Sequence, residues 1–311
     1  MTGFTRWTCS VLAGVLLMAL AAAASAQVVV TVTGDTANAT ISLTDDVGHV
    51  YEADVTIVFD TPQNLTPPTL NVTAELIDPA DVNPRLANDG IGGGSNCGLL
   101  GLQCPTVPAA FPMMITVEPV GAPWVFRDGF ETSAGAFPGV LSFLNTYQID
   151  VHTHDLEYTS GSPYRLYKAP VGQDFHDITT DVLPGSMRAR GRGGAFSQFV
   201  VVTDPRDALT VSLQKILQLN VRILAAALGD GLRLDLLTLL AKVDTLILVD
   251  VTGALAALDQ LIDLIDLNAG TEIANVWSAR RDVVNDAGEM SELADTLRFS
   301  MVRLQGGTAP R

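Results

Sequence analysis

Hydrophobic and polar positions alternate with a period of two residues along the first two thirds of the chain. Residues 28–32 are β-branched throughout, and residues 40–44 alternate between apolar and polar side chains. Similar segments recur, mostly separated by Pro, Gly, Asn or Asp clusters, at 54–59, 69–77, 114–120, 141–151, 165–168 and 195–202. About eight short strands at this spacing predict an antiparallel β-sandwich-like domain over residues 27–202.

A helical period replaces this alternation in the last third of the chain. Thr203-Asp204-Pro205 combines a capping residue with a proline that suits the first helical position. Turn-forming segments at 229–231 and 268–270 then separate long amphipathic stretches. Short turns between such stretches predict an antiparallel helical bundle over residues 203–305. The predicted fold class is therefore α+β, with the sheets first and the helices second.

The second helical stretch, residues 232–267, is apolar on more than one face. Helices of that kind are usually buried, which predicts that it is central in the bundle; the alternatives are packing against another chain or against the β domain. Its β-branched middle and Gly253 are the places where it would divide in two. A last helical region is predicted from a cap at Thr271 to Leu304, followed by a flexible tail at 306–311.

The N-terminus has the pattern of an export signal. Arg6 supplies a positive charge, residues 11–24 are uncharged and apolar or small, and Ala24-Ser25-Ala26 is a small-x-small cleavage pattern. These features predict a signal peptide over residues 1–26 and a mature chain that is secreted or periplasmic.

The net charge of the chain limits the classes of partner that it can bind. The 311-residue chain has a formal net charge of −16 at pH 7, which argues against a nucleic-acid partner because the phosphates would repel it. The most apolar stretches of the mature chain, 209–228 and 234–258, contain two or more Lys, Arg or Asp residues each. Because a charge at bilayer depth costs roughly 2.5–3.5 kcal/mol, we expect no transmembrane span in the mature chain.

Two cysteines remain after the predicted cleavage, and both lie in a Gly- and Pro-rich segment, residues 79–112, that is predicted to be a long loop. An even pair in an exported protein predicts a disulfide between Cys97 and Cys104. A free or metal-bound thiol pair is the alternative. Six intervening residues fit no common zinc spacing, which favours the disulfide.

The first candidate site is Asp150-x-His152-x-His154. Residues two apart on a strand point to the same side, so these three side chains would form a row. Imidazole and carboxylate groups are ordinary ligands of zinc, iron or manganese, and His176 would be an additional ligand if the fold brings it near. The alternative is an exposed polar strand face without a metal.

The second candidate site is Arg188-x-Arg190-x-Arg192. The three guanidinium groups would share one strand face and suit an anionic ligand or an acidic polysaccharide. The alternative is that they pair with carboxylates of the same chain, which has 34 acidic residues.

Residues 126–131 read Phe-Arg-Asp-Gly-Phe-Glu. Physically, Asp128-Gly129 is a turn signal with aromatic side chains on both sides. The segment also resembles a short motif of exported, uncharacterised proteins of Gram-negative bacteria, and the resemblance implies an exported protein of that kind.

No catalytic frame such as a Gly-x-Ser-x-Gly elbow is present. We therefore expect a non-enzymatic, extracytoplasmic binding or structural protein with a protein or glycan ligand. Segment 79–112 would be its contact surface, its helical domain would pack against the β domain or mediate self-association, and no cofactor is expected. Two alternatives stay open: a protein or enzyme that binds a divalent metal through Asp150, His152 and His154, and a membrane-active protein that uses its apolar helices.

Overall fold

A computed structural model describes residues 26–87, 97, 103–121, 139–159 and 161–306. In this part of the chain antiparallel sheets come first and helices follow, which confirms the predicted α+β class. The strands are β1 (Ala26–Thr33), β2 (Thr36–Thr44), β3 (Val50–Gln63), β4 (Val72–Leu76), β5 (Met113–Val117), β6 (Ser142–Glu157), β7 (Tyr164–Ala169), β8 (His176–Asp177), β9 (Thr179–Leu183), β10 (Ser186–Gly193), β11 (Gln198–Thr203) and β12 (Val276–Ser278).

The strands form two sheets. The large sheet has the order β1-β2-β3-β6-β10-β9, and β12 pairs with the first residues of β6. The small sheet has the order β4-β5-β11-β7-β8. The register pairs neighbouring strands antiparallel throughout both sheets.

Alternate residues of both sheets fill the core of the sandwich. Ile57 and Ile149 of the large sheet and Phe199 of the small sheet belong to one buried apolar cluster. Tyr147 stacks on Phe196 with ring centroids 4.5 Å apart, and its hydroxyl donates to the carbonyl oxygen of Ala195 at 2.8 Å. The inward positions are apolar because the strands alternate, which leaves the other face of the large sheet polar.

The outer face of the small sheet is covered by a helix within the segment predicted as a loop. Residues Pro79–Ala87 form helix α2, whose Val82 and Leu86 pack on Tyr167 and neighbouring side chains of the sheet. The loop prediction was wrong for these residues. Asp78 accepts a hydrogen bond from the backbone of Ala80 at 2.8 Å, and Pro79 suits a first helical turn. A shorter helix, α1, spans Pro67–Leu70.

Four longer helices follow the sheets: α3 (Ala208–Ala225), α4 (Asp230–Leu246), α5 (Val251–Asn268) and α6 (Asp286–Leu304). Helix α3 contacts α4 and α6, and α5 contacts the same two helices, so the four form a bundle. The predicted division of residues 232–267 is confirmed. The new helix begins after Asp250, whose carboxylate accepts from the backbone N–H of Gly253 at 2.9 Å.

The segment between α5 and α6 differs from the sequence prediction. Residues 276–278 were predicted to be helical, but they form β12 and pair with β6. The Trp277 ring stacks on Phe143 with centroids 5.2 Å apart and joins the core of the sandwich. Burial of this large aromatic ring outweighs the local helical pattern.

Helix α6 joins the bundle to the sandwich. It packs against α3 and α5 on one side and against β6, β9 and β10 on the other. Thirteen of its residues are buried, including the polar Asp286, Glu292 and Thr296. The central helix of this arrangement is therefore α6 rather than the leucine-rich stretch 232–267, which corrects the prediction.

The described residues settle some sequence predictions and leave others outside. Cys97 and Cys104 have the geometry of a disulfide, with Cα atoms 5.4 Å apart. Residues 1–25, 122–138 and 307–311 lie outside the described part, and with them most of the expected signal peptide, the Phe-Arg-Asp-Gly-Phe-Glu motif and most of the expected tail. No helix in the described part of the chain has the length and apolar character needed to span a membrane.

Candidate functional site

The polar outer face of the large sheet brings both sequence motifs together. Strand β6 lies between β3 and β10, so its outward side chains have neighbours on both sides. In the register, His152 is opposite Asp54 of β3 and Arg188 of β10. The two motifs therefore lie on one surface, whereas the sequence alone indicated two separate rows.

Two of the three predicted anion-binding arginines are paired with carboxylates of the chain. Arg190 Nη2 lies 3.1 Å from Asp150 Oδ2, and Arg192 Nη1 lies 2.6 Å from Asp295 Oδ2 of α6. Arg188 is exposed, and no described carboxylate forms an ion pair with it. Pairing with carboxylates of the same chain, the alternative given for this motif, thus accounts for Arg190 and Arg192.

The histidines of the predicted metal row are adjacent, but their nearest carboxylate is a different one. His152 and His154 share the outer face, with ring centroids 4.5 Å apart. Asp150 lies on that face too, but its carboxylate faces Arg190. Asp54 of β3 takes its place, because Asp54 Oδ2 lies 3.2 Å from His154 Nε2 and 3.7 Å from His152 Nδ1. We call Asp54, His152 and His154 the outer-face cluster.

Neighbouring side chains orient this cluster. Thr40 Oγ1 donates to Asp54 Oδ1 at 3.1 Å, and Ser186 Oγ lies 2.5 Å from His152 Nε2. Partial burial and, after it, the nearby Arg188 and His154 lower the pKa of His152. The neutral imidazole that results is the form that binds metals. His176, the extra ligand considered from the sequence, lies on β8 of the small sheet and takes part in a second site.

This second site is a pocket between the sandwich and the bundle, with a volume of about 370 Å³. Its walls combine apolar side chains with polar ones, among which Lys168, His176 and Glu292 contact one another and form what we call the polar end. The lining residues, which define what we call the junction pocket, are Lys168, Pro170, His176, Ala195, Phe196, Ser197, Gln218, Val221, Arg222, Ala225, Glu289, Glu292 and Leu293.

Glu292 of α6 organises the polar end of the junction pocket. Its Oε1 lies 2.8 Å from His176 Nε2, and its Oε2 accepts from the Gly194 N–H at 2.9 Å. Lys168 Nζ forms a close ion pair with Oε2 as well. The Glu292 and Lys168 side chains are both almost completely buried, so the carboxylate has exchanged water for three fixed partners.

The charge of Glu292 is held in place by these partners. Burial alone would raise its pKa, but the Lys168 ammonium and the His176 hydrogen bond outweigh that effect and lower the pKa from 4.5 to about 2. A second buried pair lies nearby, where Lys215 Nζ of α3 is 2.6 Å from Asp177 Oδ2 and donates to Thr296 Oγ1 at 2.7 Å. These polar contacts connect the helices to the small sheet.

Of the residues at the polar end of this pocket, the sequence indicated His176, as a ligand of a different site, but did not indicate Lys168 or Glu292. Glu292 and Lys168 lie 124 positions apart, and no local spacing connects them. The available signal was a set of charged residues inside otherwise apolar segments, such as Lys215 between Val211 and Leu219. A charge in such a position must find a buried partner, but the sequence does not say which one.

Comparison with known proteins gives a family but no described relative. No curated protein and no solved structure matches the chain. One family model matches residues 12–305, nearly the whole chain. That match shows that the chain belongs to a family of unknown function, DUF6689.

Proposed function

We propose that the mature chain is an extracytoplasmic, non-enzymatic binding protein, and that a small, largely apolar ligand binds in the junction pocket. One observation carries the proposal: a largely apolar pocket of about 370 Å³ is lined by the connected set of the buried Lys168 and Glu292 and the half-buried His176. Ligand sites commonly measure roughly 300–1,000 Å³ and combine apolar walls with a few fixed polar groups.

The lining indicates the kind of ligand. Phe196, Val221 and Leu293 offer apolar surface. The lining cations Lys168 and Arg222 are balanced by the lining acids Glu289 and Glu292, so the walls favour neither a strong anion nor a strong cation. An uncharged molecule with one hydrogen-bonding group fits this arrangement best. The pocket also suits a small molecule better than the protein or glycan expected from the sequence.

The state of Glu292 supports binding rather than catalysis. A carboxylate with a pKa of about 2 is a poor proton donor or acceptor at neutral pH, because general acid–base groups work best with a pKa near the working pH. Both oxygens of Glu292 are already engaged by donors of the protein. The polar end is therefore suited to fixed hydrogen bonding and electrostatic contact.

The test uses N-phenyl-1-naphthylamine, an uncharged aromatic probe that fluoresces in apolar surroundings. We expect saturable binding of one probe per chain. Ala225, at the exposed end of α3, lines the pocket, and Ala225→Trp should fill its entrance and weaken binding about tenfold, which corresponds to about 1.4 kcal/mol.

Leu234→Trp is the control, because Leu234 is exposed on α4, does not line the pocket and lies outside the exposed apolar stripe of α3. It should leave the affinity for the probe unchanged. Equal affinities of both variants, or no saturable binding by the wild-type chain, would refute the proposed site. Thermal unfolding of each variant verifies that the fold is retained.

Self-association through the helical domain is a second role, favoured by one observation. Leu213, Leu217, Val221 and Leu224 recur every three or four residues along α3 and are 38–51% exposed. An apolar stripe of this kind on a helix surface is typical of a contact with another chain. We propose a second copy of this chain as the partner.

A further inference from the structure

The outer-face cluster has the geometry of a small metal site. The ligand atoms of Asp54, His152 and His154 all lie within 4.8 Å of one another. In a tetrahedral site with bonds of about 2.0–2.1 Å, neighbouring ligand atoms are roughly 3.3 Å apart. The observed distances of 3.2 and 3.7 Å from Asp54 Oδ2 to the two imidazole nitrogens are close to that value.

The cluster sits on rigid strands of a sheet. Asp54 lies within β3, and both histidines lie on the adjacent strand β6, with Asp54 directly opposite His152. Sites built on strands hold their ligands more precisely than sites on loops, because the backbone register fixes the positions of the side chains. Small side-chain rotations would be enough to close the three ligands around an ion.

The groups that contact the three candidate ligands are of the kind found around metal sites. His152 Nε2 lies 2.5 Å from Ser186 Oγ, and Nδ1 of the same ring is directed toward Asp54, so the tautomer with hydrogen on Nε2 would donate to Ser186 and keep Nδ1 as a ligand atom. Thr40 holds the other oxygen of Asp54. In metal proteins the second ring nitrogen of a ligating histidine commonly donates to a nearby acceptor, which orients the ring.

The surroundings leave room for a further ligand. A hollow of about 350 Å³ lies beside the cluster and is lined by Asp54, His152, Arg188 and Arg190, among others. Asp150 neutralises Arg190, which leaves Arg188 as the exposed cation at this edge. An ion held by three protein groups would thus have an open position that faces the hollow.

From these observations we infer that Asp54, His152 and His154 bind a divalent transition metal ion, with Zn²⁺ as the reference ion. Two imidazoles and one carboxylate suit Zn²⁺, Cu²⁺ or Ni²⁺ better than Ca²⁺ or Mg²⁺, which prefer oxygen ligands. The site is distinct from the junction pocket, and its existence does not depend on a ligand in that pocket.

The experiment is isothermal titration of Zn²⁺ into the untagged mature chain. We expect one ion per chain, and we expect Ca²⁺ to give no saturable binding. His152→Ala and His154→Ala should each weaken Zn²⁺ binding at least tenfold. His49→Ala is the matched control, because His49 is exposed on the turn before β3 and lies outside the cluster. It should bind Zn²⁺ as the wild-type chain does.

Two carboxylate variants test the ligand set itself. Asp54→Asn should weaken Zn²⁺ binding at least tenfold, whereas Asp150→Asn should change it less than threefold, because Asp150 is occupied by Arg190. The inference is overturned if the wild-type chain shows no saturable Zn²⁺ binding. It is also overturned if binding survives both histidine substitutions, or if Asp150→Asn is as damaging as Asp54→Asn.

Discussion

Asp150 of β6 lies directly opposite Arg190 of β10, and their side chains form an ion pair with an N–O distance of 3.1 Å. Each of these residues belonged to a separate candidate site in the sequence, one for a metal and one for an anion. This ion pair neutralises the carboxylate of the predicted metal row and one guanidinium of the predicted anion-binding row. Beside the ion pair lie the exposed guanidinium of Arg188 and the outer-face cluster of Asp54, His152 and His154.

The first prediction concerns the strength of the Asp150–Arg190 pair. Both side chains are partly exposed, and ion pairs of that kind contribute about 0–1 kcal/mol. A double-mutant cycle with Asp150→Ala and Arg190→Ala, measured by urea unfolding, should give a coupling free energy of about 0.5–1 kcal/mol. A coupling above roughly 2 kcal/mol would contradict this assignment, since it would mean that the pair is effectively buried.

The shared face of each polar row could be predicted from sequence because the two-residue period of a strand is a local property. Which of these rows lie next to each other in the sheet could not be predicted from sequence. Asp150 and Arg190 are 40 positions apart, and Asp54 and His154 are 100 positions apart. Their contact depends on the order of the strands and on register, which long-range pairing decides. The sequence therefore indicated the shared face of the two histidines, but not that Asp54 is the carboxylate beside them while Asp150 pairs with Arg190.

The helical half shows a second limit of pattern reasoning. The leucine-rich stretch 232–267 was predicted to be central in the bundle, because a helix that is apolar on more than one face is usually buried. Yet α6 is the central helix, although it carries the buried polar residues Glu292, Thr296 and Ser300. Their hydrogen-bond partners come from other elements, so burial costs little in the fold. Hydropathy along a helix does not reveal such partners.

The second prediction concerns the stability contributed by Glu292. Glu292→Gln leaves the buried Lys168 without an opposite charge, and breaking a buried pair typically costs about 3–5 kcal/mol. Glu289→Gln, on the same helix, should cost about 0–1 kcal/mol, because the Glu289 side chain is 32% exposed. Urea unfolding at pH 7 measures both values. Similar costs for the two variants would contradict the role assigned to Glu292.

The third prediction follows from the pKa of the same residue. Its pKa is about 2 in the folded protein against an ordinary value of 4.5, so the unfolded chain takes up the proton first as the pH falls. At about 1.4 kcal/mol for each pKa unit, the ionised carboxylate stabilises the fold by about 3 kcal/mol above pH 5. This contribution should disappear progressively between about pH 5 and pH 2. Unfolding free energies measured across that range should fall less steeply for Glu292→Gln than for the wild-type chain, and equal slopes would count against the assignment.

The fourth prediction tests self-association. If the exposed stripe on α3 mediates it, light scattering of the wild-type chain should show a dimer that Leu217→Asp converts to a monomer, because a charge in an apolar contact is costly. Leu248→Asp is the control, since Leu248 is 66% exposed in the connection between α4 and α5. It should leave the dimer intact. A wild-type chain that remains monomeric at high concentration would exclude this role.

The last prediction concerns the glycines that allow α6 to approach the sandwich. A Cβ atom on Gly194 would lie 2.3 Å from the backbone carbon of Gly288, and one on Gly288 would lie 2.1 Å from the Asn145 carbonyl oxygen. Backbone atoms cannot move aside as a flexible side chain can, so Gly194→Ala or Gly288→Ala should each cost about 3 kcal/mol, the upper end of the usual range for overpacking. Gly231→Ala provides the opposite case, because Gly231 lies within α4 and a Cβ there would meet nothing within 4 Å. That substitution should stabilise the protein by about 0.4–1 kcal/mol, because alanine has less freedom to lose on folding. Thermal and urea unfolding of the three variants would measure this contrast, and a tolerated alanine at position 194 would show that the helix does not approach the sandwich this closely.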